Sequence, residues 1–276
     1  MDHNNLIKKL RLERGLSQDQ LARGISQRST LSSFENKGAK ISYNTLVQYL
    51  DRMNVTLEEY QFMLDDEDVS EKRKISKLFF ENLKKNYSPD FEKYLQEKAY
   101  ETDNYYYEIL RAMYLIIMKR MDITLDIDCH SAKLILTRYL DSIANWGRFE
   151  LTIFINTLFI YESDYIQTHF NRSVKRMKVY VDNLYFNKDM LSFLINGTQL
   201  FFERGSKRLF YLFLKELGFF ADEHCSTDAH LAYKVFSFLS SPEVHNNQKK
   251  YELLLSLEIL GKENYVTYIE SKLKDD

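Results

Sequence analysis

The sequence predicts an all-α protein. Only 8 glycines and 2 prolines occur among its 276 residues, so the chain is poor in residues that interrupt helices. Both prolines, Pro89 and Pro242, follow a serine, and proline is well tolerated in the first turn of a helix. Apolar residues recur at helical spacing through most of the chain. The length fits one small domain of about 65 residues and a second of roughly 200.

Residues 16–38, LSQDQLARGISQRSTLSSFENKG, form the most informative stretch. Ser17 can cap a short helix, with the glutamine three residues later completing a capping box. Gly24 is the expected turn residue, and Leu31 and Phe34 lie on one side of a second helix. Two short helices joined by a tight turn are the skeleton of a helix-turn-helix.

The opposite side of the second helix carries one arginine and several short polar residues. An α-helix fits the major groove of DNA, arginine can donate two hydrogen bonds to guanine, and hydroxyl side chains allow close approach to bases. Amide and basic residues nearby could donate to phosphates. A helical hairpin used only for packing is the alternative. The residues expected to contact DNA are Arg14, Gln18, Gln27, Arg28, Ser29, Ser32, Ser33, Lys37, Lys40 and Asn44.

Three further helices are predicted around this hairpin, which gives a five-helix domain over residues 1–64. Asn5 can open the first helix, and Ser42 can open the fourth. Thr56 and the glutamate three residues later form a second capping box. A DNA-binding domain of this kind needs such helices because the hairpin alone cannot bury its apolar side.

Positive charge is concentrated in this first domain. Residues 1–56 contain nine Lys and Arg against five Asp and Glu, a net charge of +4, whereas the whole chain carries −2. Because the first domain is basic and the rest of the chain is acidic, we expect the first domain alone to attract phosphates. Binding to DNA should then weaken as the salt concentration rises. A solvated surface without a partner would also tolerate this asymmetry.

The first 64 residues resemble phage-repressor-like helix-turn-helix domains. The resemblance lies in IKKLRLERGLSQDQLA, STLSSFE and ISYNTLVQYLDRMNVTLEEY. It implies that Arg11 of the first helix pairs with Glu35 of the recognition helix. The segment SSFENKGAKIS with YNTLVQYLDRMNVTLEEY is similar to the Rgg-like (MutR-like) transcription regulators of Gram-positive bacteria, within the group of peptide-pheromone sensors.

The rest of the chain is predicted to form helical hairpins. The acidic run at 65–71, DDEDVSE, is the expected linker. Short connections force neighbouring helices to pack antiparallel, so residues 72–276 should form a stack of hairpins. The last predicted helical segment should be broken near Gly261. The expected helical segments are about 71–86, 89–101, 103–120, 127–144, 148–161, 163–179, 187–203, 206–219, 227–240 and 248–273.

Such a stack favours a tetratricopeptide-like repeat domain. Helix starts at 127, 163, 206 and 248 are 36 to 43 residues apart, which is loosely compatible with a repeat of about 34 residues. The resemblance to Rgg-like proteins implies the same architecture, and NWGRFELTIFINTLFIYE is similar to a recurrent piece of that family's C-terminal domain.

Stacked hairpins curve, and their concave side suits an extended peptide. A carboxamide satisfies both the N–H and the C=O of a peptide backbone, so Asn156 and Asn196, which lie in apolar helices 40 residues apart, are candidate contacts together with Asn183. Each Asn could instead bond a neighbouring helix in the core. The candidates for binding an acidic group of the peptide, which could equally be ordinary surface charges, are Arg111, Arg148 and Lys215.

These observations predict a regulator that binds double-stranded promoter DNA as a homodimer and responds to a short signalling peptide. The alternatives are a repressor whose helical domain only dimerises, and an antitoxin or scaffold whose helical domain holds a protein partner. No apolar run approaches the length of a membrane span, and no signal peptide is apparent. We therefore expect a cytoplasmic protein that neither spans nor binds a membrane.

No enzyme and no cofactor are predicted. The sequence lacks a glycine-rich phosphate loop, a nucleophile elbow and a helical zinc-protease motif. The segment ADEHCSTDAH fits no zinc spacing that we can justify, so no metal site is assigned. In a reducing compartment the two cysteines should be free thiols. The residues considered for a redox or pH response, with solvated loop positions as the alternative for the histidines, are Cys129, Cys225, His130, His169, His224 and His230.

Overall fold

All regular structure in the described part of the chain is helical, as predicted. The computed structural model describes residues 2–65, 71–179 and 184–274. These residues form sixteen α-helices and two short 3-10 helices, and they contain no strand. The chain divides into two units, Met1–Lys85 and Asn86–Asp276, each with its own internal contacts.

The first unit contains six helices. Capping boxes begin the second helix at Ser17 and the fifth at Thr56, and the Ser42 side chain caps the fourth. The first helix begins at His3 and not at Asn5, because the chain already enters the helix from an extended Asp2. The helices are α1 His3–Glu13, α2 Gln18–Ala22, α3 Arg28–Lys37, α4 Tyr43–Arg52, α5 Leu57–Leu64 and α6 Glu71–Leu83.

The core of the first five helices is made by the apolar sides that the periodicity predicts. Gly24 in the α2–α3 turn and Gly38 after α3 have φ angles of +75° and +65°, a conformation that glycine adopts without steric cost. These turns direct one side of α3 into the core. The buried side chains include Leu6, Ile7, Leu10, Leu21, Leu31, Phe34, Tyr49, Leu50, Met53 and Tyr60.

The second unit contains ten α-helices that pair into hairpins. Ser88 caps the first of them, with Pro89 in its first turn. The predicted break near Gly261 is present, where φ is +64°. The helices are α7 Pro89–Thr102, α8 Tyr105–Met121, α9 Cys129–Ser142, α10 Arg148–Asn156, α11 Ser163–Val179, α12 Leu184–Glu203, α13 Lys207–Glu223, α14 Thr227–Leu239, α15 Asn247–Ile259 and α16 Glu263–Lys274.

One predicted helix is shorter than expected. The segment predicted as a helix over 148–161 ends at Asn156 and continues as the 3-10 helix Leu158–Ile160. The side chains of Asn156 and Thr157 donate hydrogen bonds of 2.7 Å to the carbonyl oxygens four residues earlier. Side-chain donors of this kind compete with the backbone donors that would continue a helix.

Five helices of the second unit form a layer that successive hairpins share. Helices α8, α10, α12, α14 and α16 each contact the next member of this series, across successive hairpins. Helices α7 and α9 pack on α8, α11 packs on α12, α13 packs between α12 and α14, and α15 packs on α16. The shared layer therefore brings residues that are about 40 positions apart in sequence next to one another.

Candidate functional site

Helix α3, the predicted recognition helix, is held in place by a buried ion pair. Arg11 of α1 donates hydrogen bonds of 2.6 and 2.8 Å from Nε and Nη2 to the two carboxylate oxygens of Glu35. A third Arg11 nitrogen donates to the Leu16 carbonyl oxygen at 2.7 Å. Both side chains are almost fully buried. One guanidinium group thus connects α1, the loop before α2 and α3.

Electrostatics keep this pair charged. Burial alone would raise the pKa of Glu35, but hydrogen bonds from Arg11 and Gln18 and the charge of Arg11 outweigh burial and lower that pKa. The hydrogen bond to Glu35 raises the pKa of Arg11. A bidentate pair between a guanidinium and a carboxylate also fixes the relative orientation of the two helices. The direction of α3 is therefore set from inside the domain.

The exposed side of α3 carries most of the residues predicted to contact DNA. Gln27, Arg28 and Ser29 lie exposed at its N-terminal end, and Lys37 lies exposed at its C-terminal end. Ser32 and Ser33 are half-buried between them. Arg28 lies 3.8 Å from Asp19 in an exposed ion pair, and such pairs contribute little. The Arg28 guanidinium therefore stays accessible to a ligand.

Asn36 continues this polar side, and it forms hydrogen bonds within α3 and with α1. The Asn36 amide donates to the Ser32 carbonyl oxygen at 3.0 Å, and Lys8 donates to the Asn36 side-chain oxygen at 2.9 Å. Lys8 was not singled out in the sequence, because its place beside α3 depends on how α1 crosses the hairpin. Lys40 and Asn44, the predicted phosphate contacts after α3, are exposed.

Two other predicted phosphate contacts are engaged within the domain. The Gln18 amide donates to Glu35 at 2.8 Å, which adds it to the buried pair. The Arg14 guanidinium donates to the carbonyl oxygens of Met53 and Leu10 at 2.5 and 3.1 Å. Their contacts to DNA stay predictions, and both side chains already have a structural role.

Arg52 has a role that sequence reasoning missed. Its guanidinium donates to the carbonyl oxygens of Gln20, Leu21 and Arg23 at the end of α2. The last carbonyls of a helix lack partners within the helix, so a cationic side chain there is favourable. An arginine in the last turn of α4 gives no local signal that it reaches α2.

In the second unit, Asn156 and Asn196 line one cavity of about 250 Å³. The Asn156 amide donates to Thr152 at 2.7 Å, and the Asn196 amide donates to the Ile155 carbonyl oxygen at 3.2 Å. The second bond connects α12 to α10, which is the core role considered as the alternative. No described residue donates to either side-chain oxygen, so both oxygens remain hydrogen-bond acceptors.

Arg120 and Gln199 line the same cavity and were not predicted. Arg120 lies 3.5 Å from Glu203 and stacks on Phe159, with 4.4 Å between its Cζ atom and the ring centroid. The Gln199 amide donates to Glu203 at 2.9 Å. Gln199 lies three residues after Asn196 on the same side of α12, so helical spacing could have identified it. Arg120 lies in the last turn of α8, where no sequence pattern marks it.

Arg111, Arg148 and Lys215 do not line this cavity. Arg111 pairs with Glu92, with its Nε atom 3.0 Å from the carboxylate, and Arg148 pairs with Asp189 at 3.0 Å. Lys215 lines a separate groove of about 820 Å³ between α13 and α14. Asn183 lies outside the described residues.

The candidate titrating and redox residues differ in their burial and contacts. Cys129 is half-buried and Cys225 is exposed, and both are free thiols. No group of three His, Cys, Asp or Glu in the described residues is arranged to hold a metal ion. His230 contacts Asp222 at 3.2 Å, and the His224 ring packs on Phe220. Burial raises the pKa of the Cys129 thiol, whereas burial and the charge of Arg172 lower the pKa of His169.

Comparison with known families identifies the chain. The helix-turn-helix family matches residues 7–60, and the C-terminal domain of the HTH-type transcriptional regulator Rgg matches residues 91–271. The chain belongs to the Rgg family. This result confirms the resemblance found in the sequence, and the family consists of transcriptional regulators and not of enzymes. No curated protein sequence matches the chain.

Three solved structures share this fold over nearly the whole chain. A protein of Listeria monocytogenes EGD-e assigned as a transcriptional regulator superposes with a TM-score of 0.79 at 19% identity, over 99% of this chain and 96% of that one. The SHP pheromone receptor Rgg2 of Streptococcus dysgalactiae gives 0.70 at 15% identity, over 99% of each chain. PrgX in its complex with cCF10 gives 0.66 at 15% identity, over 98% and 90%.

These likenesses confirm the predicted architecture of a helix-turn-helix domain followed by a helical repeat domain. Within the described residues, no helix is both long enough and apolar enough to cross a membrane.

Proposed function

We propose that this Rgg-family protein is a cytoplasmic transcription regulator that binds promoter DNA as a homodimer and is controlled by a short peptide. The observation that carries the proposal is the exposed polar side of α3, whose direction is fixed by the buried pair of Arg11 and Glu35. A rigid, accessible helix with an arginine at its N-terminal end suits the major groove.

In this proposal the N-terminal half of α3 reads bases. Arg28 is the side chain that can donate two hydrogen bonds to one guanine, and Ser29 and Ser32 are short enough to allow close approach. Lys37, Lys40 and Asn44 donate to phosphates beside the groove. Two protomers would place two α3 helices about one helical turn of DNA apart, or a multiple of it, as a two-fold operator requires.

Binding of variants to DNA tests this assignment. With an operator selected from random duplexes, Arg28→Ala should lose about 1 to 3 kcal/mol, and its binding to scrambled DNA should change little. Lys40→Ala should weaken binding to both duplexes alike and lower the slope of log affinity against log salt by about one. Gel-shift titrations at several salt concentrations measure both effects.

Lys9→Ala is the control for charge, because Lys9 is an exposed residue of α1 that pairs with Glu13 and is not among the predicted DNA contacts. If Arg28→Ala bound the operator and the scrambled duplex as the parent does, α3 would not be the reading helix.

The peptide would bind at the cavity lined by Asn156 and Asn196. Two unused side-chain oxygens and the Arg120 guanidinium together offer acceptors and a donor to an extended backbone. The cavity lies in the shared layer, where helices of successive hairpins approach closely, as expected for the concave side of a curved stack. The likeness in fold to the SHP pheromone receptor Rgg2 supports this part of the proposal.

A bound peptide controls DNA binding only if it has different affinities for two arrangements of the protein. Synthetic peptides from short reading frames beside the gene are the probes, and calorimetry measures their binding. Asn156→Ala and Asn196→Ala should each weaken binding about tenfold, because a peptide N–H would lose its acceptor.

Asn171→Ala is the matched control, since Asn171 is an exposed residue of α11 outside the cavity. If Asn156→Ala and Asn196→Ala bound the peptide as tightly as the parent and Asn171→Ala do, this site would be wrong. It would also be wrong if none of these peptides bound the parent.

A further inference from the structure

The last hairpin of the repeat domain has an uncovered apolar side. Tyr251, Leu255 and Ile259 of α15 recur every four residues, so they lie on one side of the helix. Each is exposed, with 76% of Ile259 accessible. Leu257 is the one residue of α15 that is fully buried. A row of large exposed apolar side chains on one side of a helix marks an interaction surface on a soluble protein.

Acidic residues border the α15 stripe on both sides. At 100° per residue, Glu252 and Glu258 lie about 60° to either side of Leu255. Glu252 accepts a hydrogen bond from Gln248 at 2.7 Å, and no described residue pairs with Glu258. Two α15 stripes packed on each other would bring these acids together, which is unfavourable. The stripe therefore suits a surface that is apolar in the middle and basic at its edge.

The α13–α14 groove, of about 820 Å³, has both apolar and basic lining residues. Tyr211 and Phe219 of α13 line it and are 53% and 55% exposed. Lys215 and Lys234 also line it and are exposed, and neither has an ion-pair partner among the described residues. Lys215 lies 5.6 Å above the Phe219 ring. The one acid that lines the groove, Asp222, contacts His230.

We propose that these two surfaces bind each other between two copies of the chain. The α15 stripe of one protomer would lie in the α13–α14 groove of its partner, with Glu252 and Glu258 facing the lysines of the groove. In a two-fold dimer the same contact is made twice, in both directions. Both apolar surfaces would then be covered, as exposed apolar patches on soluble proteins usually are. This inference specifies the interface of the homodimer in the proposed function.

Charge reversal in the full-length protein tests the interface. Glu258→Lys and Lys234→Glu should each raise the Kd of the dimer by about tenfold to a hundredfold, because each substitution changes both copies of the contact. The variant that combines both substitutions should dimerise nearly as tightly as the parent. Sedimentation equilibrium over a range of concentrations measures each Kd. Both residues are exposed, so neither change should affect folding.

Glu270→Lys is the matched control, because it makes the same charge change at an exposed position of α16. Its Kd should equal that of the parent. If the single variants dimerised as tightly as the parent, or the combined variant stayed as weak as either single one, the interface would be wrong although the homodimer could stand. A parent that is monomeric at every concentration would overturn both the interface and the proposed homodimer.

Discussion

At the scale of single residues, the pair of Arg11 and Glu35 has the largest predicted effect on stability. Removing one partner of a buried ion pair leaves an uncompensated charge in the core. Arg11→Met should therefore lower the free energy of unfolding by about 3 to 5 kcal/mol. Adding Glu35→Met should recover part of that loss, since the second substitution removes the stranded carboxylate. Urea denaturation of the parent, both single variants and the double variant measures the coupling.

The exposed pair of Lys9 and Glu13, 3.9 Å apart on α1, provides the comparison. Lys9→Met should change the free energy of unfolding by no more than about 0.5 kcal/mol, because water screens an exposed pair. Additive losses from the two substitutions at Arg11 and Glu35 would mean that the pair is not coupled.

His169 makes stability depend on pH. Its ring stacks on Trp146 at 4.5 Å, and its buried Nδ1 atom has no hydrogen-bond partner in the described residues. Burial and the charge of Arg172 lower its pKa in the folded state, although Asp141 opposes them. The folded protein therefore favours the neutral ring, while the unfolded chain takes up a proton below its ordinary pKa of about 6.5. Stability should be fully present above that pH and fall as the solution becomes more acidic.

Urea midpoints at pH 7.5 and 5.5 measure this effect. His169→Phe keeps a ring beside Trp146. In this variant the urea midpoints at the two pH values should differ by less than they do in the parent. His130→Gln should keep all of it, because His130 is exposed. An unchanged pH dependence in His169→Phe would assign the effect to other groups.

At the scale of elements, close packing decides the effect of one glycine. Gly197 lies within α12, and an added Cβ atom would come 2.0 Å from the Phe213 ring of α13. Alanine normally stabilises a helix relative to glycine by roughly 0.5 to 1 kcal/mol. Here the clash with a fully buried ring should reverse the sign, so Gly197→Ala should destabilise by about 1 to 3 kcal/mol.

Phe213→Leu tests the cause, since it makes room for the new methyl group. Its cost should be smaller in the Gly197→Ala background than in the parent, as measured by thermal or urea denaturation. Equal costs in the two backgrounds would show that the ring is not what opposes the alanine.

Element ends were predictable where one side chain determines them. Ser17, Ser42 and Thr56 cap their helices as the sequence indicates, because a cap is a contact between residues two or three positions apart. The predicted start of α1 was wrong. Asp2 and Asn5 are both good cap residues, so the local sequence does not determine which of them precedes the helix. The end of α10 was missed because two side-chain donors there compete with the backbone.

At the scale of the whole molecule, composition and periodicity were enough to predict an all-α chain with a helix-turn-helix and helical hairpins. The residues that line the cavity were predictable only in part. Asn156 and Asn196 are unusual as polar residues in apolar helices, so the sequence marks them. Arg120 enters the same cavity because α8 stacks on α10, and that packing connects residues far apart in the chain.

The hydrogen bonds of Asn156 and Asn196 have a further consequence. Each amide group already donates one of its two hydrogens to a carbonyl oxygen of α10, and no described residue donates to either side-chain oxygen. In the proposed function, a bound chain that hydrogen-bonds both oxygens would supply N–H groups at two positions, and proline has none. Discrimination against an imino acid at those positions would follow from the backbone alone, before any side chain of the bound molecule is compared.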